Sequence, residues 1–302
     1  MSALPEAARW VEIDRAKGYV VDEIGDGLHW VSDGPYQAMF LVEREGVTLV
    51  DAPPSLGGRL LDAIREVTDR PVTHVVYSHA HADHAAAASL FDGATFVGHR
   101  ETARLLERAA DPRRPVPTVL VDDELELGGL VLRYEGLNHH PGNLFVHAPK
   151  QRTLMVVDVV YHGWAPYKSL GLPKDVPGYI GAHDAMLAYD FEHFVSGHNG
   201  RLGTREDVEV AREHIHDLRD ATARALESVS LAELVGEVGM ADGYRLMAAY
   251  HDRVSERAAA EVIAKWRDRL GGVESFTADN CWIMQQSLRL DDGHAIQVRY
   301  DA

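Results

Sequence analysis

Six consecutive residues, His79-Ala80-His81-Ala82-Asp83-His84, bring three imidazoles and a carboxylate into one turn of chain. Read as His-x-His-x-Asp-His, they offer neutral nitrogens and an anionic oxygen, the donor set of borderline-soft divalent metals such as Zn²⁺. One metal with three protein ligands keeps a position for water, whereas two metals need about six or seven ligands. The hexapeptide supplies four of these, so the remaining ligands must come from His or Asp residues at other strand ends. Three places qualify. His139 or His140 stands in Gly136-Leu137-Asn138-His139-His140-Pro141-Gly142. Asp158 follows the apolar run Leu154-Met155-Val156-Val157, where a carboxylate is costly to bury unless paired or metal-bound. His198 follows Phe194-Val195-Ser196-Gly197.

Each of these residues needs an element to hold it. The β-branched and aromatic runs at 19–21, 28–31, 38–42 and 47–50, split by Gly-containing turns, predict strands. Leu60, Leu61, Ile64 and Val67 give 56–68 helical spacing, and the apolar run 72–77 predicts the strand that delivers His79. A helix is expected over 85–90, a strand over 94–97, a helix over 101–110, and short strands from 119 to 157. The stretch 163–181, rich in Gly, Pro and aromatics, reads as a long loop of the kind that lines sites. From 205 the pattern turns helical, with Thr204 and Asp207 spaced as a capping box and Val208, Ala211, Ile215 and Leu218 as an apolar stripe. That helical stretch runs to Leu270, where Gly271-Gly272 stops it, and 281–300 reads as two strands hinged at Asp291-Asp292-Gly293. Hairpin-like strands with occasional helical crossovers predict a layered α/β (α+β) fold, and no Gly-rich phosphate loop is present.

The ordered set resembles the metallo-β-lactamase superfamily: His-x-His-x-Asp-His, a His before Pro-Gly, an Asp closing a strand, then Gly-His. Asp51, closing Leu49-Val50, resembles that family's early Asp. The similarity covers roughly residues 19–205. The resemblance implies an αβ/βα sandwich, here one domain over 1–302 with a helical elaboration over 205–272. It implies two Zn²⁺ (Fe or Mn as alternatives), the first on His79, His81 and His139, the second on Asp83, His84 and His198, with Asp158 bridging. His139 is preferred to His140 because the family's His stands two residues before the Pro-Gly pair. Asp51 is expected to orient the ligand loop rather than to bind metal. Two departures stand out. Ala85-Ala86-Ala87-Ala88 replaces a common Gly-Gly, and Asn199-Gly200-Arg201 replaces a common Gly-Pro, which alters the rim.

The implied chemistry is hydrolysis, with a metal-bound hydroxide attacking the carbonyl of a small-molecule ester, lactone, thioester or amide. Asp83 is the candidate catalytic residue, orienting the nucleophile or moving a proton. Tyr161, His162 and Trp164 are candidate pocket residues. A mono-iron persulfide dioxygenase-like oxidoreductase and a β-lactamase are the alternatives. His214 and His216 read as a solvated helix face, and Cys281 as buried core. The net charge of −17, without a Lys/Arg-rich stretch, disfavours nucleic-acid and anionic-membrane partners, while leaving a homo-oligomer open. A single cysteine, no apolar signal segment and no run of about 20 apolar residues make the expected location cytoplasmic.

Overall fold

Strands buried on both faces need apolar residues at every position, sorted by a period of two. In β3 (Gln37–Glu43), Met39 and Leu41 join one core while Ala38 and Phe40 join another. A computed structural model describes residues 4–293. β1 (Val20–Gly25), β2 (Leu28–Ser32), β3 and β4 (Gly46–Val50) form antiparallel pairs. β5 (Val72–Val76), β6 (Thr95–His99) and β7 (Val119–Val121) extend the sheet in parallel. The crossovers carry α1 (Gly58–Val67), the short α2 (Ala82–Ala85) and α3 (Arg100–Ala109).

The second sheet has the order β13-β12-β11-β10-β9-β8. It is built from β8 (Glu124–Leu127), β9 (Leu130–Arg133), β10 (Phe145–Ala148), β11 (Thr153–Val156), β12 (His193–Val195) and β13 (Gly203–Thr204). Its one parallel pair, β11 with β12, is bridged by α4 (Val176–Leu187). Met39, Leu41, Val50, Val76, Val146 and Met155 fill the space between the sheets. Phe40, Leu49, Val75, Leu60 and Leu106 join the first sheet's outer face to its helices. Phe145, Leu154, Val156, Tyr179 and Trp266 do the same for the second sheet. Three cores between four layers make an αβ/βα sandwich.

The helical part consists of α5 (Arg205–Ser228), α6 (Leu231–Val238), α7 (Gly243–Trp266) and α8 (Val273–Leu290). α5 begins with the expected capping box, Thr204 and Asp207 each satisfying the other's backbone N–H. None of the described helices is long and apolar enough to cross a membrane.

Four expectations are corrected. Residues 281–290 are helix, not strand: Cys281, Met284 and Leu288 are buried at three- and four-residue steps, the period of a helix. The helical part thus extends past 272 to Leu290, and the remainder of the expected strands, 294–300, lies outside the described residues. The helix expected over 85–90 is α2 followed by a 3₁₀ turn, Ala88–Phe91. The long loop ends early, because α4 starts at Val176 with Pro177 in its first turn, where a missing N–H costs nothing. His214 is buried rather than solvated, its ring edge-on to Trp266 at 5.0 Å, because α5 is covered by α7.

Candidate metal centre

The ligand candidates come from turns at one end of both sheets. Asp51 follows β4 and Asp158 follows Val157 after β11, and both adopt left-handed backbone (φ 63°). Asp tolerates that conformation better than most residues, and it turns both carboxylates off their strands. His79 follows β5, and His81 precedes α2, which carries Asp83 and His84. His139 lies between β9 and β10, in a loop held by Asn138 and Asn143. Asn138 Oδ1 accepts from the His139 N–H (2.6 Å) and from Asn143 Nδ2 (2.9 Å), and Asn143 Nδ2 also donates to the Val157 carbonyl (3.0 Å). One small network therefore positions both His139 and the strand end that carries Asp158.

Two groups of ligand atoms result, each within 4.8 Å: His79, His81, His139 and Asp158, and Asp83, His84 and His198. The Asp158 carboxylate faces both. Its Oδ2 is 3.5 Å from His79 Nε2, 3.2 Å from His139 Nε2 and 3.3 Å from His84 Nε2, and its Oδ1 is 2.9 Å from His198 Nε2. His140 points elsewhere, its Nδ1 toward the Pro141 carbonyl and its ring against His81 at 4.2 Å.

Tautomers follow from the outer contacts. Ser78 Oγ donates to Asp51 Oδ2 (2.7 Å), so it accepts from His79 Nδ1 (3.0 Å) and leaves His79 Nε2 with a free lone pair. His198 Nδ1–H donates to the Pro35 carbonyl (3.0 Å), again exposing Nε2 as a ligand. Asp51 also accepts from the Ser78 N–H (2.8 Å), so it shapes the turn at His79, with His84 Nδ1 4.0 Å from its Oδ2.

The electrostatics suit a cation. Burial, reinforced by His81, holds His79 well below the usual imidazole range, and burial lowers His139 as well. Burial would raise Asp158, but the His84 charge and the close contacts of the His139 and His198 imidazoles outweigh it and keep the carboxylate ionised. His84 rises to about 9: against burial, the charges of Asp158, Asp51 and Asp83 draw a proton to it. Burial lifts Asp51 to about 6, opposed by His84 and by the Ser78 hydrogen bonds. His79 Nε2 is buried without a hydrogen-bond partner, and imidazole nitrogens face one another at 3.1 Å (His139 and His81) and 3.2 Å (His84 and His198). An orphaned buried nitrogen is unfavourable by itself, and imidazoles crowded around one carboxylate aim several nitrogens at shared points that cations would fill.

A cavity of about 950 Å³ opens over these residues. Tyr161 and Trp164 line it, the Tyr161 ring 5.7 Å from that of His198. His162 does not: it is buried behind the cavity, Nε2 against the Arg201 carbonyl at 2.8 Å. Residues with no chemical signature of their own in the sequence also enter. Tyr36 donates its hydroxyl to Asp83 Oδ2 (3.3 Å) and stands 4.6 Å from His198 ring to ring, yet its surrounding Asp33-Gly34-Pro35 signals only a turn. Burial, with Asp83 adding to it, pushes the Tyr36 hydroxyl up to about 12. Trp10, Lys168, Lys174 and Phe276 complete the wall from three distant segments.

The model of the metallo-beta-lactamase superfamily matches residues 31–198. The "2,4-dinitroanisole O-demethylase subunit alpha" of Nocardioides sp. (strain JS1661) is 27% identical over 208 residues, 65% of this chain, and the match spans 61% of that relative's length. A metallo-beta-lactamase from Erythrobacter litoralis superposes with a TM-score of 0.58 at 16% identity, over 69% of this chain and 100% of its own. The Pseudomonas aeruginosa FIM-1 enzyme gives 0.56 at 18% identity, over 66% and 95%. One from Pontibacter korlensis gives 0.56 at 22% identity, over 66% and 99%. These structures share the fold, and the helices beyond residue 205 lie outside the family match.

Proposed function

The chain belongs to the metallo-beta-lactamase superfamily, and on that premise we propose that it is a binuclear metal-dependent hydrolase of small-molecule esters, lactones, thioesters or amides. The observation that carries the reading is the Asp158 carboxylate lying between two separate groups of His and Asp donors. In this reading His79, His81 and His139 hold one ion, Asp83, His84 and His198 hold the other, and Asp158 serves both. The mixed nitrogen and oxygen donors fit Zn²⁺, with Fe or Mn as alternatives. When bound, such ions lower the pKa of water toward neutrality and polarise a carbonyl.

The chain's own residues supply the rest. Asp83 is half-exposed to the cavity and already accepts the Tyr36 hydroxyl on Oδ2. Its other oxygen is free to take a proton from the attacking water and pass it to the leaving group. Tyr36 stays protonated at neutral pH, so it holds Asp83 in place as a donor rather than competing for that proton. Asp51 and Ser78 keep His79 in the tautomer that offers Nε2.

A second reading is favoured by the relative's printed activity: an activated aryl ether as the bond that is cleaved. The test is to purify the protein without added metal, strip it with a chelator, and assay aryl esters, a lactone, a thioester, a lactam and 2,4-dinitroanisole with and without added Zn²⁺. Hydrolysis lost on stripping and restored by Zn²⁺ is expected. Iron in the purified protein with oxygen uptake on a thiol persulfide, and no hydrolysis, overturns the reading.

A further inference from the structure

One wall of the cavity comes from the N-terminal segment. It is tied to the body by three hydrogen bonds within five residues. The Val11 N–H donates to the Gly200 carbonyl (2.7 Å), Trp164 Nε1 donates to the Ala8 carbonyl (3.1 Å), and Arg201 Nε donates to the Ala7 carbonyl (2.9 Å). Two glycines make room for it. A Cβ at Gly163 would lie 2.0 Å from the Ala7 carbonyl oxygen, and one at Gly200 would lie 2.8 Å from Trp10 Cβ. No side chain fits at either place while the strap lies where it does. Its contact partners Gly200 and Arg201 stand just past His198, so the strap crosses directly beside the metal centre.

The strap presents Trp10 to the cavity. The residue is 46% exposed although the backbone on either side is fixed, and its ring centroid is 6.4 Å from that of Trp164, tilted by 52°. Across the same cavity Tyr167 packs on Phe276 of α8, ring centroids 4.8 Å apart. A large apolar side chain held half in water beside a cavity gains by covering its face with a ligand, and flat rings supply the most area at the lowest entropic cost.

We propose that the N-terminal strap is a specificity element of the cavity, and that Trp10 with Trp164 grips a flat aromatic group of the substrate. The proposal rests on the reading of this cavity as the hydrolytic site and narrows its substrate class to aryl esters and related aryl compounds.

The test has two independent readouts on the protein as purified with its metals: the Kd of 2-naphthol by calorimetry, and the ratio of kcat/KM for 2-naphthyl acetate to that for ethyl acetate. Trp10→Ala is expected to weaken 2-naphthol binding and to lower the ratio, each about tenfold. Trp10→Leu, which keeps the apolar bulk that seals the strap, is expected to show a loss in the same direction if Trp10→Ala fails to fold. Wild-type protein that does not bind 2-naphthol, or a folded variant that binds it as wild type does, overturns the proposal. Trp10-dependent binding without ester hydrolysis keeps the aromatic site and sinks the hydrolase reading. Hydrolysis of ethyl acetate with no 2-naphthol binding does the reverse.

Discussion

At the residue scale the two donor groups are held in place by side chains outside them. Ser78 links Asp51 to His79, and its hydroxyl decides which His79 nitrogen carries the proton. Ser78→Ala is expected to lower metal affinity about 10- to 100-fold, read by competition with a chromogenic chelator, because the Nε2 tautomer is then no longer enforced. Affinity equal to wild type would show that the turn alone fixes His79. The hexapeptide was legible in the sequence because its donors are consecutive. Asp158 was legible because it closes an apolar strand, and His198 because a strand runs into its Gly-flanked turn, whereas His139 was separable from His140 only through the family resemblance. Tyr36 and Trp10 were not, because an aromatic side chain in a turn or a terminal segment gains meaning only from what the tertiary fold sets beside it. His162 misled for the same reason: only the fold tells which of three neighbouring residues after Asp158 faces the cavity and which lies beneath it.

At the element scale, α8 builds the cavity from behind. Asn280, fully buried, accepts the Leu170 N–H on Oδ1 (2.8 Å) and donates Nδ2 to the Pro166 carbonyl (2.9 Å). At and just beyond those bonds Ser169, Leu170 and Leu172 take left-handed backbone, φ 56°, 58° and 65°, which non-glycine residues keep only when held. Asn280→Ala leaves a buried N–H and a buried carbonyl unpaired. It is expected to cost about 1–3 kcal/mol in denaturant unfolding and to raise KM for any substrate of the cavity. An unchanged midpoint and KM would mean that the loop holds itself. α8 was misread in the sequence because Trp282, Ile283 and Met284 look like a strand, and because Gly271-Gly272 reads as a stop. Gly272, in left-handed backbone (φ 72°), ends the turn after α7 and also caps the start of α8. The α5 capping box needed no tertiary partner, so it could be read directly.

At the scale of the whole molecule, α4, α5 and α7 enclose two histidines between the second sheet and solvent. His183 and His214 are buried and held neutral, each lowered to about 4, with burial the main cause. Their unfolded pKa is near 6.5, so between pH 6.5 and 4 the unfolded chain binds more protons than the folded one. Stability from these groups is complete above about pH 6.5 and is lost as pH falls toward 4, by at most about 3 kcal/mol for each. His214→Gln is expected to flatten the fall in Tm across that window relative to wild type. Parallel Tm curves would show that His214 does not titrate on unfolding. The sandwich itself was legible from alternating strands and their crossovers. The burial of His214 was not, because an amphipathic stripe marks one buried face and α5 has another, against α7.

The central claim is that two ions are held, with Asp158 between them, and metal counting tests it most directly. Chelator-stripped wild type and His198→Ala would be loaded with Zn²⁺, desalted and analysed for metal and protein together. About two zinc per chain in wild type and about one in His198→Ala are expected, since only the second group loses a ligand. One zinc or none in wild type, or an unchanged count in the variant, would contradict the account.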